Sequence, residues 1–423
     1  MQYISRPIYE HAVRQWYTVP DSDVLCVHGA PRVGKTSVVR QVLTNLPGVA
    51  FYEAMRAGCL LDVFGQAPEG PVPDIVVIDD VAPGRIVMVW ELVRALKERH
   101  PSMRFVIVGS ALMRHINEQS AATLRVRSLP IHPLGFLEYL HFLGRDKLAD
   151  YLEQNVDVAP SAGMHRLLMR EWQAFVAVGG LPEFVLGYRN DQNVEELQRH
   201  YVKSPLTDAL RQMRRKASTD HLVQALDAVV EQAGEKFFLS RAVRGYRAFQ
   251  AKKVLDVLED LGIVLRCTHT DAKGDDLSAT TNEKFLRYAF FDTGVLRAWC
   301  GGRVHLADQP LRAPSVHRYV DAFVARELAI VQEGKLYWWR REKTGSDAAV
   351  EFVAATRPPL PITLHQNKPM ALQALRLMQQ DKELGHAVLL DRVSGGGHED
   401  LTVLPVYRVG PYIAAKIAQS SIF

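Results

Sequence analysis

Gly29-Ala30-Pro31-Arg32-Val33-Gly34-Lys35-Thr36, directly after the apolar run Val24-Leu25-Cys26-Val27, decides how this chain is read. The spacing is GxxxxGK[ST], which builds a cradle for phosphate. Its glycines let the backbone turn tightly enough to aim successive N–H groups at phosphate oxygens. Lys35 supplies a point charge to the β- and γ-phosphates, and the Thr36 hydroxyl is offered to Mg²⁺. A helix is predicted from Thr36 onward because Val38, Val39, Val42 and Leu43 recur on one face. Its positive N-terminal end adds to the same site and brings Ser37 beside the phosphates. The stretch implies binding of a nucleoside triphosphate through residues 29–37.

The rest of the composition bounds this reading. A chain of 423 residues is too long for one core and suggests two to four domains. No apolar run approaches the ~18 residues that a membrane span needs, so no membrane partner is expected. The opening MQYISRPIYEHAVRQWY lacks the basic-then-apolar order of a signal peptide, and a cytoplasmic location is the expectation. Cys26, Cys59, Cys267 and Cys300 lie far apart without CxxC spacing, which points away from a zinc site or a disulfide framework. A net charge of +4 permits nucleic-acid contact without arguing for it.

Apolar β-type runs alternate with helical patterns through the first third: Val24–Val27, Val49–Tyr52, Ile75–Ile78 and Phe105–Val108, with a weaker run at Leu129–His132. Such near-continuous hydrophobicity suits a parallel sheet covered on both faces, an α/β fold. Ligands of these sheets sit at the carboxyl ends of the strands, so the chemistry belongs where the runs stop. The third run ends in Asp79-Asp80. Asp79 is the candidate for holding the hydration shell of Mg²⁺, and Asp80 for orienting or deprotonating the attacking water. The fourth run ends in Gly109-Ser110, which places a small hydroxyl within reach of the γ-phosphate or the lytic water.

The order GAPRVGKT, IVVIDD, FVIVGSA and RVRSLPIHPLGFLEYL resembles a family of prokaryotic AAA+-type P-loop ATPases. Pro133-Leu134-Gly135-Phe136-Leu137-Glu138-Tyr139 is similar to that family's "PLSFxEF" segment. A Gly-Arg pair usually precedes it; here the pair is Leu124-Arg125, so the resemblance makes Arg125 the candidate for stabilising transition-state charge, in its own subunit or a neighbour's. The family more often has Asp-Glu at positions 79–80, and the shorter Asp80 is compatible with slow hydrolysis. ATP, rather than GTP, is implied by the resemblance alone. Residues 1–136 are then the ATPase core and 137–203 a helical lid, with Gly179-Gly180-Leu181-Pro182-Glu183 matching a "GGxPE" element of the lid.

Between 204 and 306 the pattern of helices followed by a hairpin is that of a winged-helix unit. Val254, Val257, Leu258 and Leu261 mark its main helix, Gly262 stops it, Ile263-Val264-Leu265 begins a strand, and residues 270–276 form the tip of the wing. Arg241, Arg244, Arg247, Lys252 and Lys253, with a second run of Arg211, Arg214, Arg215 and Lys216, are candidates for contacting DNA phosphates, or else are solvated faces of a protein-docking unit. Phe290-Phe291-Asp292-Thr293-Gly294-Val295 matches the family's "FxDTGL" element, and a linker with Pro310 and Pro314 follows. Residues 315–423 resemble the restriction-endonuclease-like fold of the same family, a PD-(D/E)xK-like arrangement. The resemblance maps two of that fold's three acids onto Glu327 and Glu351, but Thr363 and His365 replace the third acid and the lysine, and Lys368 is three residues out of register. The implied module has the nuclease fold without the nuclease activity. Trp338 and Trp339 read as core.

Three functions are compatible with these readings. The first is an ATP-hydrolysing enzyme whose motion repositions the second half on DNA or a protein partner. The second is a nucleotide-gated DNA- or protein-binding module with little turnover, and the third an active Mg²⁺-dependent nuclease using Glu327, Glu351 and Lys368. Oligomeric state is left open by the sequence.

Overall fold

A computed structural model describes residues 3–53, 72–112, 116, 124–212, 217–301, 306, 309, 311, 313–342, 346–364, 370–393, 395–398 and 400–420. In chain order the helices and first strands are α1 (Pro7–Thr18), β1 (Val24–His28), α2 (Lys35–Leu43), β2 (Val49–Glu53), β3 (Ile75–Val81), α3 (Ile86–Arg99), β4 (Arg104–Gly109) and β5 (Val126–Pro130). Five helices follow: α4 (Phe136–Phe142), α5 (Asp146–Gln154), α6 (Ala162–Val178), α7 (Pro182–Arg189) and α8 (Val194–Tyr201). Next come α9 (Thr207–Gln212), α10 (Thr219–Glu231), α11 (Ala248–Asp260), β6 (Val264–Thr270), β7 (Thr281–Phe290), α12 (Thr293–Trp299) and α13 (Pro314–Val331). The chain closes with β8 (Leu336–Arg340), β9 (Ala349–Ala354), β10 (Leu360–Leu364), α14 (Met370–Lys382), β11 (Ala387–Asp391), β12 (Gly396–His398), β13 (Leu401–Pro405) and α15 (Val409–Ser420).

Two compact units share these elements, one of residues 1–132, 203–223 and 253–263 and the other of 133–202, 224–252 and 264–423. The first holds an all-parallel sheet in the order β2-β3-β4-β1-β5. Every residue of β1 is buried, as are Phe105–Gly109 of β4, because both strands lie inside the sheet. Val89, Val93 and Leu96 of α3 pack with Val76, Ile78, Phe105 and Ile107 into one core. The four strong apolar runs became strands where expected. The weak run is registered three residues earlier, at Val126–Pro130, because it is an edge strand with only partial burial and no continuous apolar signature.

The second unit is built on a mixed eight-stranded sheet, β12-β13-β11-β10-β9-β8-β6-β7. From α13 onward the chain runs helix, three antiparallel strands (β8, β9, β10), helix α14, and then β11 paired parallel to β10. The hairpin expected as a free wing belongs to this sheet, since β6 pairs in parallel with β8. Its tip is exposed at residues 273–276, but the flanking Ala272 and Leu277 are buried with Trp339, Val350 and Met378. Trp338 and Trp339 are core, as read from the sequence. Helices α4 and α6, in the stretch expected as a lid, pack with α13: the Phe175 ring lies 4.7 Å from Tyr139 and 6.2 Å from Phe323, and Trp172 meets Phe323 edge-on at 5.8 Å.

Three motifs of the sequence converge on one buried polar knot in this unit. Asp292 caps α12 by accepting from Val295 N, accepts the backbone N–H of Gly180 at 2.6 Å, and takes the Arg326 guanidinium at 3.4 Å. Glu327, beside Arg326, accepts the Phe136 N–H at 2.9 Å. The GGLPE, FDTG and PLGFLEY segments are thus tied to α13 through backbone amides. Burial pushes the Glu327 carboxyl from its ordinary 4.5 up to about 7, against the Arg326 charge and the Phe136 N–H. A carboxyl raised in the folded state contributes stability that is complete below the unfolded value and disappears as pH rises through the folded one. Thermal or denaturant unfolding of the wild type is therefore expected to lose on the order of 3 kcal/mol between about pH 4.5 and 7 from this group. The Glu327→Gln variant should flatten that slope, and an unchanged slope would contradict the assignment.

Candidate nucleotide-binding site

The phosphate loop leaves the carboxyl end of β1 and enters α2. Gly29, at φ 141°, sits so close to the next strand that a side chain there would strike the Ile131 carbonyl, which explains the glycine. Gly34 at φ 96° turns the chain into α2, whose first residue is Lys35. The Lys35 ammonium donates to the carbonyls of Gly29 at 3.0 Å and Ala30 at 2.8 Å, and to Ser110 Oγ at 3.2 Å. Among the described residues it has no ion pair. A cation solvated by dipoles alone is poised for an anion.

The sheet order explains how the other residues arrive. β4 lies between β1 and β3, so Ser110, at its end, comes between the loop and the Asp79-Asp80 pair. Thr36 Oγ1 donates to Asp79 Oδ1 at 2.8 Å. The same oxygen accepts the Asp80 N–H at 2.9 Å, and Arg40 approaches Asp79 Oδ2 at 3.6 Å. Asp79 is buried, whereas Asp80 sits exposed at φ 55°, where the register of β3 against β4 shifts. The Thr36 hydroxyl and the Asp79 carboxylate are adjacent hard oxygen donors, the chemistry that Mg²⁺ selects. Within the loop, Ala30 and Val33 face inward and are buried, Pro31 and Thr36 are half-buried, and Arg32, at φ 58°, and Ser37 are exposed.

Arg125 is not brought to this place in its own chain. It precedes β5, at the amino end of the sheet, where its backbone and guanidinium both donate to Asp23 at the start of β1. Burial alone would raise the Asp23 carboxyl, but the bonds from Lys97 and Arg125 outweigh it and hold it down at about 2. The length of β1 separates this ion pair from the phosphate loop, so a catalytic role in cis is corrected to a structural one.

Two contributors escaped the sequence reading. Buried Arg6 donates to Val33 O at 3.1 Å and to His132 O at 2.9 Å, tying α1 to the loop. Gly262, taken only as a helix stop, lies against the loop backbone: at φ +71° an added Cβ would come 2.7 Å from Ala30 N and 3.0 Å from Gly29 C. No local pattern announces either contact, since each joins segments remote in sequence.

The remaining candidates divide clearly. Glu351 and Thr363 come together as a buried hydrogen-bonded pair, while Glu327 is engaged by Phe136 N. His365 and Lys368 lie outside the described residues, as do Arg214, Arg215, Lys216, Cys59 and Pro310. Among the described residues the only three metal-type side chains clustered within 4.8 Å are His141, Asp150 and Glu153, all exposed. Arg241, Arg244, Arg247 and Lys253 are exposed and Lys252 half-buried, and Arg211 is paired with Asp208 at 3.2 Å. Among the described residues no helix is long and apolar enough to cross a membrane.

A family described as a domain of unknown function, DUF8612, matches residues 169–304. No curated protein matches the chain. Among solved structures, a Walker-type ATPase of Pyrococcus abyssi is similar at a TM-score of 0.45 with 14% identity, covering 70% of this chain and 96% of that one. Domain III of the Thermotoga maritima replication initiation protein DnaA gives 0.24 and 16%, over 42% of this chain and 85% of its own. The S. cerevisiae Hsp104:casein complex gives 0.27 and 13%, over 66% and 58%. Residue roles rest on the geometry of the site.

Burial pushes Lys35 from its ordinary 10.5 down to about 8, partly offset by the carboxylates of Asp80 and Asp79. An anion needs the charged form, so above about pH 8 binding must take up a proton. Triphosphate affinity is expected to fall about tenfold per pH unit beyond that point, with proton uptake visible by calorimetry in buffers of different ionisation heat. The stability of the free protein runs the other way, rising from pH 8 towards 10.5 as the unfolded chain holds the extra proton. A second expectation concerns Gly262. The Gly262→Ala variant should weaken nucleotide binding tenfold or more by pushing on the loop, whereas Gly274→Ala, at φ +72° with open space around it, should leave binding unchanged.

Proposed function

We propose that this chain is an AAA+-type P-loop ATPase that binds ATP with Mg²⁺ at residues 29–37 and hydrolyses it. The carrying observation is the Lys35 ammonium held by two loop carbonyls and Ser110 at the carboxyl end of buried parallel strands, with Thr36 and Asp79 hydrogen-bonded beside it. Phosphate entering the loop takes over the ammonium from the carbonyls, which retain only dipolar contact. Ser110, already in contact with Lys35, then faces the terminal phosphate. Thr36 and Asp79 would hold Mg²⁺, which neutralises charge on the β- and γ-phosphates. Asp80, exposed on its left-handed turn, is positioned to orient the attacking water and accept its proton. The arginine that stabilises the transition state would come from a neighbouring subunit, Arg125 in its own chain being committed to Asp23.

A specific feature favours low turnover as the second reading. An aspartate at position 80 reaches less far than the glutamate of the resembled family, so water activation is weaker while binding is untouched. The C-terminal region is read as a nuclease-like fold that does not cut, because Glu351 is closed off by Thr363 and Glu327 by a backbone amide. Its role on DNA or a protein partner belongs to the same proposal.

Phosphate release from ATP is the deciding measurement. The wild type should turn over, Lys35→Ala should lose about 10²-fold, and Asp79→Asn should lose Mg²⁺ dependence first. Equal rates for wild type and Lys35→Ala would reject the assignment, and tight ATP binding without phosphate release would select the second reading.

A further inference from the structure

Residues 236–252, Lys-Phe-Phe-Leu-Ser-Arg-Ala-Val-Arg-Gly-Tyr-Arg-Ala-Phe-Gln-Ala-Lys, carry five basic side chains and no acidic one. Arg241, Arg244 and Arg247 are exposed, and among the described residues none of them has an ion pair. Phe238 and Phe249 are 42% and 59% exposed, the only exposed phenylalanines among the described residues. Large aromatic rings are ordinarily buried, so two that are this exposed within one basic stretch are unusual.

The stretch is also held firmly. Phe237 is buried edge-on against Tyr288 at 5.1 Å, and its N–H donates to Leu286 O at 2.7 Å, anchoring the segment to β7. The Phe238 N–H donates to Gln232 Oε1 at 2.7 Å, and the Arg244 N–H to Gln224 Oε1 at 3.1 Å. Neutral amides do this fastening, so it cancels none of the positive charge. Lys236 and Arg241 flank the Phe238 ring, 5.5 and 4.9 Å from its centre. Cations around an exposed ring are what a stacked base with its phosphates would meet.

We propose that residues 236–252 form a binding surface for single-stranded nucleic acid, with Arg241, Arg244, Arg247 and Lys236 on phosphates and Phe238 and Phe249 stacking on bases. Duplex reading fits less well. A helix laid in a major groove needs an exposed face, and α11 has no exposed residue after Lys253. The hairpin tip that would serve as a wing has its apolar residues buried in the core of the sheet. Exposed rings, moreover, stack only on bases that are already unpaired.

The test is fluorescence anisotropy of the full chain with a labelled 20-nucleotide dT strand, the matching RNA strand and a 20-base-pair duplex, across a potassium chloride series. Four phosphate contacts give a slope of log K against log salt of about −3 for a single strand. Arg241→Ala/Arg244→Ala/Arg247→Ala should weaken binding at least tenfold and reduce that slope by about 2. Phe238→Ala/Phe249→Ala should weaken single-strand binding about tenfold with the slope unchanged. Melting temperatures close to wild type show that both variants are folded, so the outcome does not depend on turnover at the phosphate loop. Several results would overturn the proposal: wild-type affinity in the triple variant, duplex binding as tight as single-strand binding and indifferent to the phenylalanines, or equal competition by polyglutamate. Preference for the DNA or the RNA strand names the source without altering the surface.

Discussion

A single ammonium held without an ion pair organises the first unit. Lys35 is fixed by carbonyl dipoles and one hydroxyl at the point where the two most buried strands end, with the nearest carboxylates beyond ion-pair distance. Holding a cation this way is costly unless an anion relieves it, and the surrounding structure keeps the cost in place. The flanking strands prevent β1 from shifting, Arg6 pins the loop from α1, and Gly262 closes the other side.

Much of this was legible in the sequence because its signals are local. The GxxxxGK[ST] spacing, the apolar run before it and the acidic end of the third run specify backbone and strand within a few residues. Their meeting in space follows from right-handed parallel connections alone. Arg125 shows where such reading stops. Its spacing from the PLGFLEY segment is a one-dimensional fact, and the resemblance drew a role from that spacing alone. Arg125 precedes β5 whichever residue begins the strand, and parallel pairing with β1 therefore puts it at the amino end of the sheet. Arg6 and Gly262 were invisible for a related reason: their partners lie 27 residues or more away, and neither has a side-chain pattern to declare it.

In the second unit the legible elements serve a structural purpose that their local pattern does not announce. GGLPE reads as a helix stop and rigid turn, FDTG as an element of the resembled family, and Glu327 as an acid of the nuclease-like fold. They are parts of one buried knot around Arg326, where paired charges and backbone amides satisfy each other. Breaking one member of such a knot leaves its partner charged and dry, which costs far more than the net worth of the intact set. These residues therefore have a folding role that requires no reaction.

The pairing of β6 with β8 carries a practical consequence for anyone dividing this molecule. A cut in the stretch between α12 and α13 looks natural from the prolines there, yet it would sever a continuous ladder and leave two hydrophobic strand margins open to strangers. Neither fragment would keep the company its backbone needs, and both would seek it in each other or in inclusion bodies.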